Sequence, residues 1–142
     1  MAVADNIRRF DELDFEAFSK QNWKLFNEIH APDVEVIFPD GHRTKGIAKH
    51  DEDMKAMFAY APDLKVVDHP VKFGSGDWTA TIGQITGTFS KPMTTLDGKS
   101  IPPTGKKFSL PMATIARWKN GRIAEEYLFW DSLEMMKQMG LA

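Results

Sequence analysis

The sequence predicts a single α+β domain in which helices cover one face of a curved, mostly antiparallel sheet. Apolar residues recur at helical spacing before Pro62, and beyond it they alternate with polar residues, as is typical of long β-strands. A last helical pattern follows Asp131. Because a chain of 142 residues buries one core of ordinary size, residues 1–142 are expected to form one domain.

The N-terminal third is predicted to be helical. Asp14 is a suitable N-cap and Pro32 a suitable stop. The apolar side chains between them fall on one broad stripe, made of Phe15, Phe18, Leu25, Phe26 and Ile29. A short hairpin is predicted next, because the β-branched run at 34–38 meets a turn signal at 39–41. Helical spacing then predicts a second helix from Gly46 to Tyr60.

A first long hairpin is predicted beyond Pro62. Apolar residues alternate over 66–73 and again over 78–89, and the Gly-rich stretch 74–77 supplies the turn. The following stretch, 91–107, is rich in Pro, Gly, Thr and Lys, and it is expected to be an exposed loop.

A second long hairpin and a closing helix complete the predicted domain. Strands at 108–119 and 122–130 are joined by Asn120-Gly121, the strongest two-residue hairpin signal. Asp131 then opens a helical pattern that Gly140 should stop.

Composition and charge exclude several function classes. Eighteen Lys and Arg against twenty Asp and Glu leave a net charge of −2, which gives no positive field for nucleic acid or an anionic membrane. The sequence has no apolar run long enough for a membrane span and no signal-peptide core, so a cytoplasmic location is expected. With no cysteine and no zinc or calcium motif, neither a metal nor a cofactor is expected.

Two segments carry a resemblance to a known family. Pro102-Pro103-Thr104-Gly105-Lys106 precedes the closing pattern Ile123-x-Glu125-x-Tyr127-x-x-x-Asp131, which continues into Gln138-Met139-Gly140-Leu141. In this order and spacing, the sequence resembles the SnoaL-like polyketide cyclases of the NTF2-like superfamily over nearly its whole length. The resemblance implies a cone-shaped α+β barrel, a deep apolar pocket and commonly a homodimer. It also implies intramolecular aldol chemistry on polyketide methyl esters without metal or cofactor, with more distant relatives that isomerise steroids or open epoxides.

Asp131 is the candidate acid–base residue. On an unbroken strand it would share one face with Ile123, Glu125, Tyr127 and Phe129. Burial among aromatic side chains can raise the pKa of a carboxyl far enough for it to take a proton from carbon. Asp131 followed by Glu134 is equally typical of a helix N-cap, which needs no pocket. The two roles are compatible, because one carboxylate oxygen can cap while the other faces a ligand.

Tyr127 and His69 are the candidate assisting residues. Tyr127 could donate a hydrogen bond to a developing enolate, or it could be a core aromatic residue. His69 could act as acid or base, or it could be a core or interface histidine beside Val67, Val71 and Phe73. Glu125 is either a ligand contact or a solvated strand residue. The apolar part of the pocket is expected to be lined by Phe38, Phe89, Met112 and Trp78.

The leading hypothesis is an enzyme of the polyketide-cyclase type that acts by acid–base chemistry on an apolar carbonyl compound. The alternative is a non-catalytic module that holds an apolar small molecule or peptide in the same pocket. Phe89 favours this alternative, because members of the family often carry His there, as they carry Trp in place of Tyr127. A homodimer is also expected, since helices can cover only one face of the long apolar strands between Trp78 and Trp130.

Overall fold

Seven strands form one sheet, and the helices pack against one face of it. The computed structural model describes residues 2–142. Its helical elements are α1 (Val3–Glu12), a π-helical segment (Leu13–Phe18), α2 (Trp23–Ile29), α3 (Ile47–Tyr60) and α4 (Ser132–Gln138). Its strands are β1 (His30–Ile37), β2 (Arg43–Lys45), β3 (Lys65–Val66), β4 (Val71–Ser75), β5 (Trp78–Thr88), β6 (Met93–Thr94), β7 (Ser100–Ile101), β8 (Lys107–Lys119) and β9 (Arg122–Phe129). Between residues 2 and 142, no helix has both the length and the apolar composition to cross a membrane.

The sheet confirms the predicted α+β fold. Its strand order is β2-β1-β9-β8-β5-β3, and β4 also pairs with β5. β1 and β9 are parallel, whereas β5, β8 and β9 form the antiparallel centre. The alternation predicted for β8 is confirmed, because its inward residues are mostly buried and pack in the main core with the helices. Asn120-Gly121 joins β8 to β9, as the sequence predicts, with both residues at positive φ.

The N-terminal helix begins earlier than the sequence predicts. α1 starts at Val3, so Asp14 is not an N-cap but lies inside the π-helical segment. Phe10 and Leu13 are both buried and extend the apolar stripe toward the N-terminus, which explains why helical structure begins upstream of Asp14. Pro32, the predicted stop, lies within β1.

Two other boundaries also differ from the prediction. The alternation at 66–73 is interrupted, because β3 ends at Val66 and β4 begins only at Val71. Pro70 lies in the gap and has no N–H to donate to a neighbouring strand. The predicted loop at 91–107 contains the small hairpin of β6 and β7.

A β-bulge in β9 determines which of its residues face the helices. Arg117 of β8 pairs with Glu125, but the next residue, Trp118, pairs with Ile123. Ala124 is therefore an extra residue on β9, and the inward positions after it are Glu126 and Leu128. The prediction that Ile123 shares a face with Glu125, Tyr127, Phe129 and Asp131 is wrong, because that prediction assumed an unbroken strand.

The outer face of the sheet is apolar and exposed. Val71 of β4 pairs with Ile82 of β5, which pairs with Ala113 of β8, which in turn pairs with Phe129 of β9. A second row on the same face runs from Phe73 through Ala80 and Ile115 to Tyr127. Five side chains of these rows are more than a third exposed, namely Val71, Phe73, Ile82, Ile115 and Phe129.

Candidate functional site

A buried cluster of two histidines and a glutamate lies between the helices and the sheet. His30 is the first residue of β1, His50 lies in the first turn of α3, and Glu126 projects inward from β9 because of the bulge. Each is at most 3% exposed. One oxygen of Glu126, Oε1, lies 3.2 Å from His30 Nε2 and 2.8 Å from His50 Nε2. The cluster thus links the junction of α2 and β1, and also α3, to β9 at the centre of the sheet.

Electrostatics hold Glu126 in its ionised form. Burial alone would raise the pKa of this carboxyl, but the positive charge of His30 and hydrogen bonds from His30 and His50 outweigh burial and lower it. His30 Nδ1 donates to the carbonyl oxygen of Phe26 at 2.7 Å, which orients its ring. His50 Nδ1 has no hydrogen-bond partner within residues 2–142, although the atom is buried.

A chain of hydrogen-bonded side chains begins at the protein surface and ends beside the histidine–glutamate cluster. Lys72 donates to Asp11 Oδ2 at 2.7 Å, and His69 Nδ1 donates to Asp11 Oδ1 at 2.7 Å. His69 Nε2 donates to Asp14 Oδ2 at 2.6 Å. Asp14 is buried in the π-helical segment, a kind of helical irregularity that is frequent at functional sites. A chain of hydrogen bonds therefore connects the surface with a buried carboxyl.

Burial and pairing move the pKa values of this chain. Burial raises the pKa of Asp14, and the hydrogen bond and charge of His69 only partly offset this effect. Burial alone would lower the pKa of His69, but hydrogen bonds to Asp14 and Asp11 and their charges outweigh it and raise the pKa. Asp14 and Glu126 thus have pKa values displaced in opposite directions, which is typical of paired carboxyls with different acid–base roles.

The histidine–glutamate cluster and Asp14, the inner end of the hydrogen-bonded chain, line one small cavity. Its volume is about 40 Å³, enough for a few water-sized positions, and apolar side chains form most of its wall. The polar residues in that wall are Asp14, His30, His50, Thr114 and Glu126. Such a mixture of an apolar wall and a few convergent polar groups is typical of small-molecule sites.

A much larger groove adjoins the cavity. It has a volume of about 740 Å³, within the range that drug-sized ligands occupy. Met54, Met57 and Trp130 line both spaces and therefore lie between them. Six of the eight methionines in the sequence line the groove, and methionine side chains adapt readily to ligands. Burial raises the pKa of Tyr60 in this groove to about 12, so its hydroxyl keeps its proton.

Asp131 lies outside the cavity and caps a helix. It is exposed, and its Oδ1 accepts a hydrogen bond from the Glu134 amide at 2.9 Å at the start of α4. Asp131 lines neither the cavity nor the groove. The helix-cap interpretation is confirmed by this geometry, and the acid–base role stays a prediction without support from its position.

The other predicted site residues are spread over several parts of the fold. The side chain of His69 is 1% exposed, and it reaches the cavity only through Asp14. Phe89 is fully buried in the core, and Met112 and Phe38 line the cavity and the groove respectively. Those on the outer face of the sheet, away from the cavity, are Tyr127, Glu125 and Trp78.

Four functional candidates were missed from the sequence. Glu126 was missed because the bulge exchanges it with Glu125 on the inward face, and the alternation pattern gives no sign of an extra residue. The sequence predicts Asp14 as a helix N-cap, and it places His30 and His50 in no motif of a site.

The histidine–glutamate cluster is also able to hold a metal ion. One ligand atom from each of His30, His50 and Glu126 lies within 4.8 Å of the other two. Two imidazole nitrogens and a carboxylate oxygen are the ligand set of several catalytic zinc and iron sites.

Comparisons with known proteins agree with this architecture. No curated protein matches the sequence significantly. A candidate SnoaL-like polyketide cyclase from Jannaschia sp. CCS1 has a similar structure, with a TM-score of 0.85 and 23% identity over 98% of this chain and 94% of that one. IdmH from Streptomyces antibioticus, a candidate polyketide cyclase, has a TM-score of 0.77 and 23% identity over 99% of both chains.

A protein described with another activity is equally similar in fold. AclR from Streptomyces galilaeus, a candidate hydroxylase, has a TM-score of 0.82 and 16% identity over 99% of this chain and 84% of that one. At such identities the similarity establishes the fold and confirms the predicted NTF2-like architecture. The sequence itself matches the SnoaL-like polyketide cyclases over residues 8–139, a span that takes in every residue of the cavity wall. By that match, the chain belongs to the SnoaL-like polyketide cyclase family.

Proposed function

We propose that the protein is an enzyme that moves a proton on an apolar carbonyl compound, in a cyclisation or isomerisation of the polyketide-cyclase type. Asp14 is the proton carrier in this proposal. The observation that carries it is the pair of carboxyls on one cavity, of which Asp14 has a raised pKa and Glu126 a lowered one. A carboxyl with a raised pKa can take a proton from the carbon beside a carbonyl and return it elsewhere.

The rest of the site supports this role in two ways. His69 holds one oxygen of Asp14 at 2.6 Å and fixes the orientation of the carboxyl. His50 lines the same cavity, and its Nδ1 has no partner among the described residues, so it is available to a hydrogen-bonding group of the substrate. Met54, Met57 and Trp130 separate this chemistry from the groove, where the apolar body of the substrate would lie.

Solvent hydrogen exchange tests the proposal without knowledge of the product. The protein is incubated in D₂O with a set of apolar ketones and β-keto esters, and deuterium in the recovered compounds is measured by mass spectrometry. Asp14→Asn should lower the exchange rate about 10²–10⁴-fold, the usual contribution of an acid–base group. Asp131→Asn is the matched control, because Asp131 lies outside the cavity, and it should exchange at the wild-type rate.

Two outcomes would contradict the proposal. Exchange that survives in Asp14→Asn but is lost in Asp131→Asn would return the acid–base role to Asp131. Compounds that bind without exchanging would favour the non-catalytic binding module. The sequence argument for that module is weakened, because Phe89 is fully buried in the core and does not line the cavity.

We also propose that the apolar outer face of the sheet packs against a second copy of the chain, as the sequence predicts. Two cross-strand rows of apolar side chains lie on this face, and the helices cover the opposite one. A continuous exposed apolar surface of this kind is uncommon on monomeric proteins. Ile115 lies in the middle of the second row and is 39% exposed, so it is the residue to change in a test.

A further inference from the structure

Two imidazole nitrogens converge on one carboxylate oxygen in the buried cluster. His30 Nε2 and His50 Nε2 both approach Glu126 Oε1, at 3.2 Å and 2.8 Å. An unprotonated imidazole nitrogen and a carboxylate oxygen repel each other, because both present lone pairs. Either protons on the imidazoles or a metal ion between the three atoms would remove this repulsion.

The ligand types match a divalent transition-metal ion. Imidazole suits zinc, copper, iron and nickel, and the combination of two histidines and one carboxylate occurs in catalytic zinc and non-haem iron sites. All three residues are at most 3% exposed, and their ligand atoms lie within 4.8 Å of one another. Ligand atoms at such separations can each lie roughly 2.0–2.2 Å from one zinc ion after small side-chain movements.

Contacts around the cluster hold the ligands in place before any ion binds. His30 donates through Nδ1 to the Phe26 carbonyl oxygen at 2.7 Å, which is the outer hydrogen bond that metal-binding histidines usually make. The Phe26 ring packs against both imidazoles, with centroid distances of 4.4 Å to His30 and 5.0 Å to His50. The ligands come from α3 and from two strands of one sheet, so their spacing is set by the packed core.

The surroundings also suit a cation with an open coordination position. Asp14 and Glu126 line one cavity and bring two carboxyls to it, whereas no Lys or Arg is among the described residues of its wall. The cavity of about 40 Å³ beside the cluster has room for a water molecule or a substrate oxygen. Three protein ligands with a free position are typical of catalytic rather than structural metal sites.

We propose that His30, His50 and Glu126 form a binding site for a divalent first-row transition-metal ion, with Zn²⁺ as the reference ion. The ion would be held by His30 Nε2, His50 Nε2 and Glu126 Oε1. His50 Nδ1 stays available to a substrate, so the site is compatible with the proposed function but does not depend on it. Metal binding displaces protons from the imidazoles, which makes proton release part of the expected signature.

The experiment measures metal binding directly, without substrate. Full-length protein freed of metal with a chelator is titrated with Zn²⁺ by calorimetry in two buffers of different ionisation enthalpy. The expected result is one ion per chain with a Kd below about 10 μM, accompanied by proton release. Co²⁺ then serves as a spectroscopic probe, and visible ligand-field bands that Zn²⁺ abolishes show that both ions occupy the same site.

Variants assign the site to its residues. His50→Ala and Glu126→Gln should each weaken Zn²⁺ binding by more than about 100-fold, since the loss of an outer hydrogen-bond partner alone costs about 10–100-fold. His42→Ala is the matched control, because His42 is exposed and lies outside the cluster, and it should bind Zn²⁺ like the wild type.

Wild-type spectra keep the proposal testable if a variant fails to fold. Histidine NMR signals of the wild-type protein should show His30 and His50 perturbed by Zn²⁺, and His69 and His42 unperturbed. Wild-type protein that binds no Zn²⁺ in this range would overturn the proposal. So would binding that persists in His50→Ala and Glu126→Gln but is lost in His42→Ala, because the ion would then be held at the surface.

Discussion

Asp131 offers a direct way to separate a helix cap from an acid–base residue. Its Oδ1 accepts a hydrogen bond from the Glu134 amide at 2.9 Å, and α4, which this bond begins, buries Met135. Replacing an N-cap Asp with Ala costs about 0.5–2 kcal/mol of stability, whereas Asn caps about as well as Asp. Asp131→Asn removes only the negative charge near the N-terminus of α4. The interaction of such a charge with the helix dipole contributes about 0.3–1 kcal/mol to stability at an exposed site.

The expected shift in melting temperature follows from the size of the domain. Unfolding entropy is about 2.1 cal/mol/K per residue, so a chain of 142 residues has roughly 0.3 kcal/mol/K. A loss of about 1 kcal/mol in Asp131→Ala therefore corresponds to a fall of about 3 °C. Asp131→Asn should fall by about 1–3 °C and by less than Ala.

Calorimetric or circular-dichroism melting of the three proteins in one buffer tests this reasoning. Urea unfolding of the same samples supplies the free energies and shows whether the slope with denaturant changes. Equal destabilisation by Asn and Ala, or none by either, would refute the capping role. Both variants should keep wild-type exchange activity, because the carboxyl lies outside the cavity.

Three other changes are predicted from the structure. His69 should titrate by NMR above its ordinary pKa of 6.5. Its contribution to the free energy of unfolding is therefore complete below about pH 6.5 and is lost as the pH rises through the pKa of the folded protein. A measured pKa at or below 6.5 would contradict the pairing with Asp14. Gly87→Ala should cost about 1–3 kcal/mol in urea unfolding, because an added Cβ would lie 2.5 Å from the buried ring of Phe108; an unchanged midpoint would contradict this packing. Ile115→Lys should convert a dimer to a folded monomer in sedimentation experiments, and a wild-type protein that is monomeric at all concentrations would reject the dimer.

Much of the fold was predictable because its strongest signals are local. The Asn120-Gly121 turn, the alternation along β8 and the Asp131 cap each depend on a few neighbouring residues. The structure departs from the sequence pattern where tertiary contacts decide. The start of α1, for example, depends on burial of Phe10 and Leu13 in the core.

The site was less predictable, because its parts come from distant segments. His30 and Glu126 are 96 residues apart, and neither stands in a motif that indicates the other. Asp14 and His69 are 55 residues apart, and their contact depends on a π-helical segment that helical spacing alone does not reveal. Single residues in an amphipathic pattern give no indication of which of them will meet inside a fold.

Ala124 has a consequence for how relatives of this protein should be aligned. A relative that lacks the inserted residue would present the same glutamate to the cavity, but two positions after Ile123 rather than three. An ungapped sequence alignment across this strand would then equate an inward carboxylate with an outward one. The same miscount would move apolar residues between the core and the outer face of the sheet. In this strand, residue equivalence should be counted from Trp130 backward, where both registers coincide.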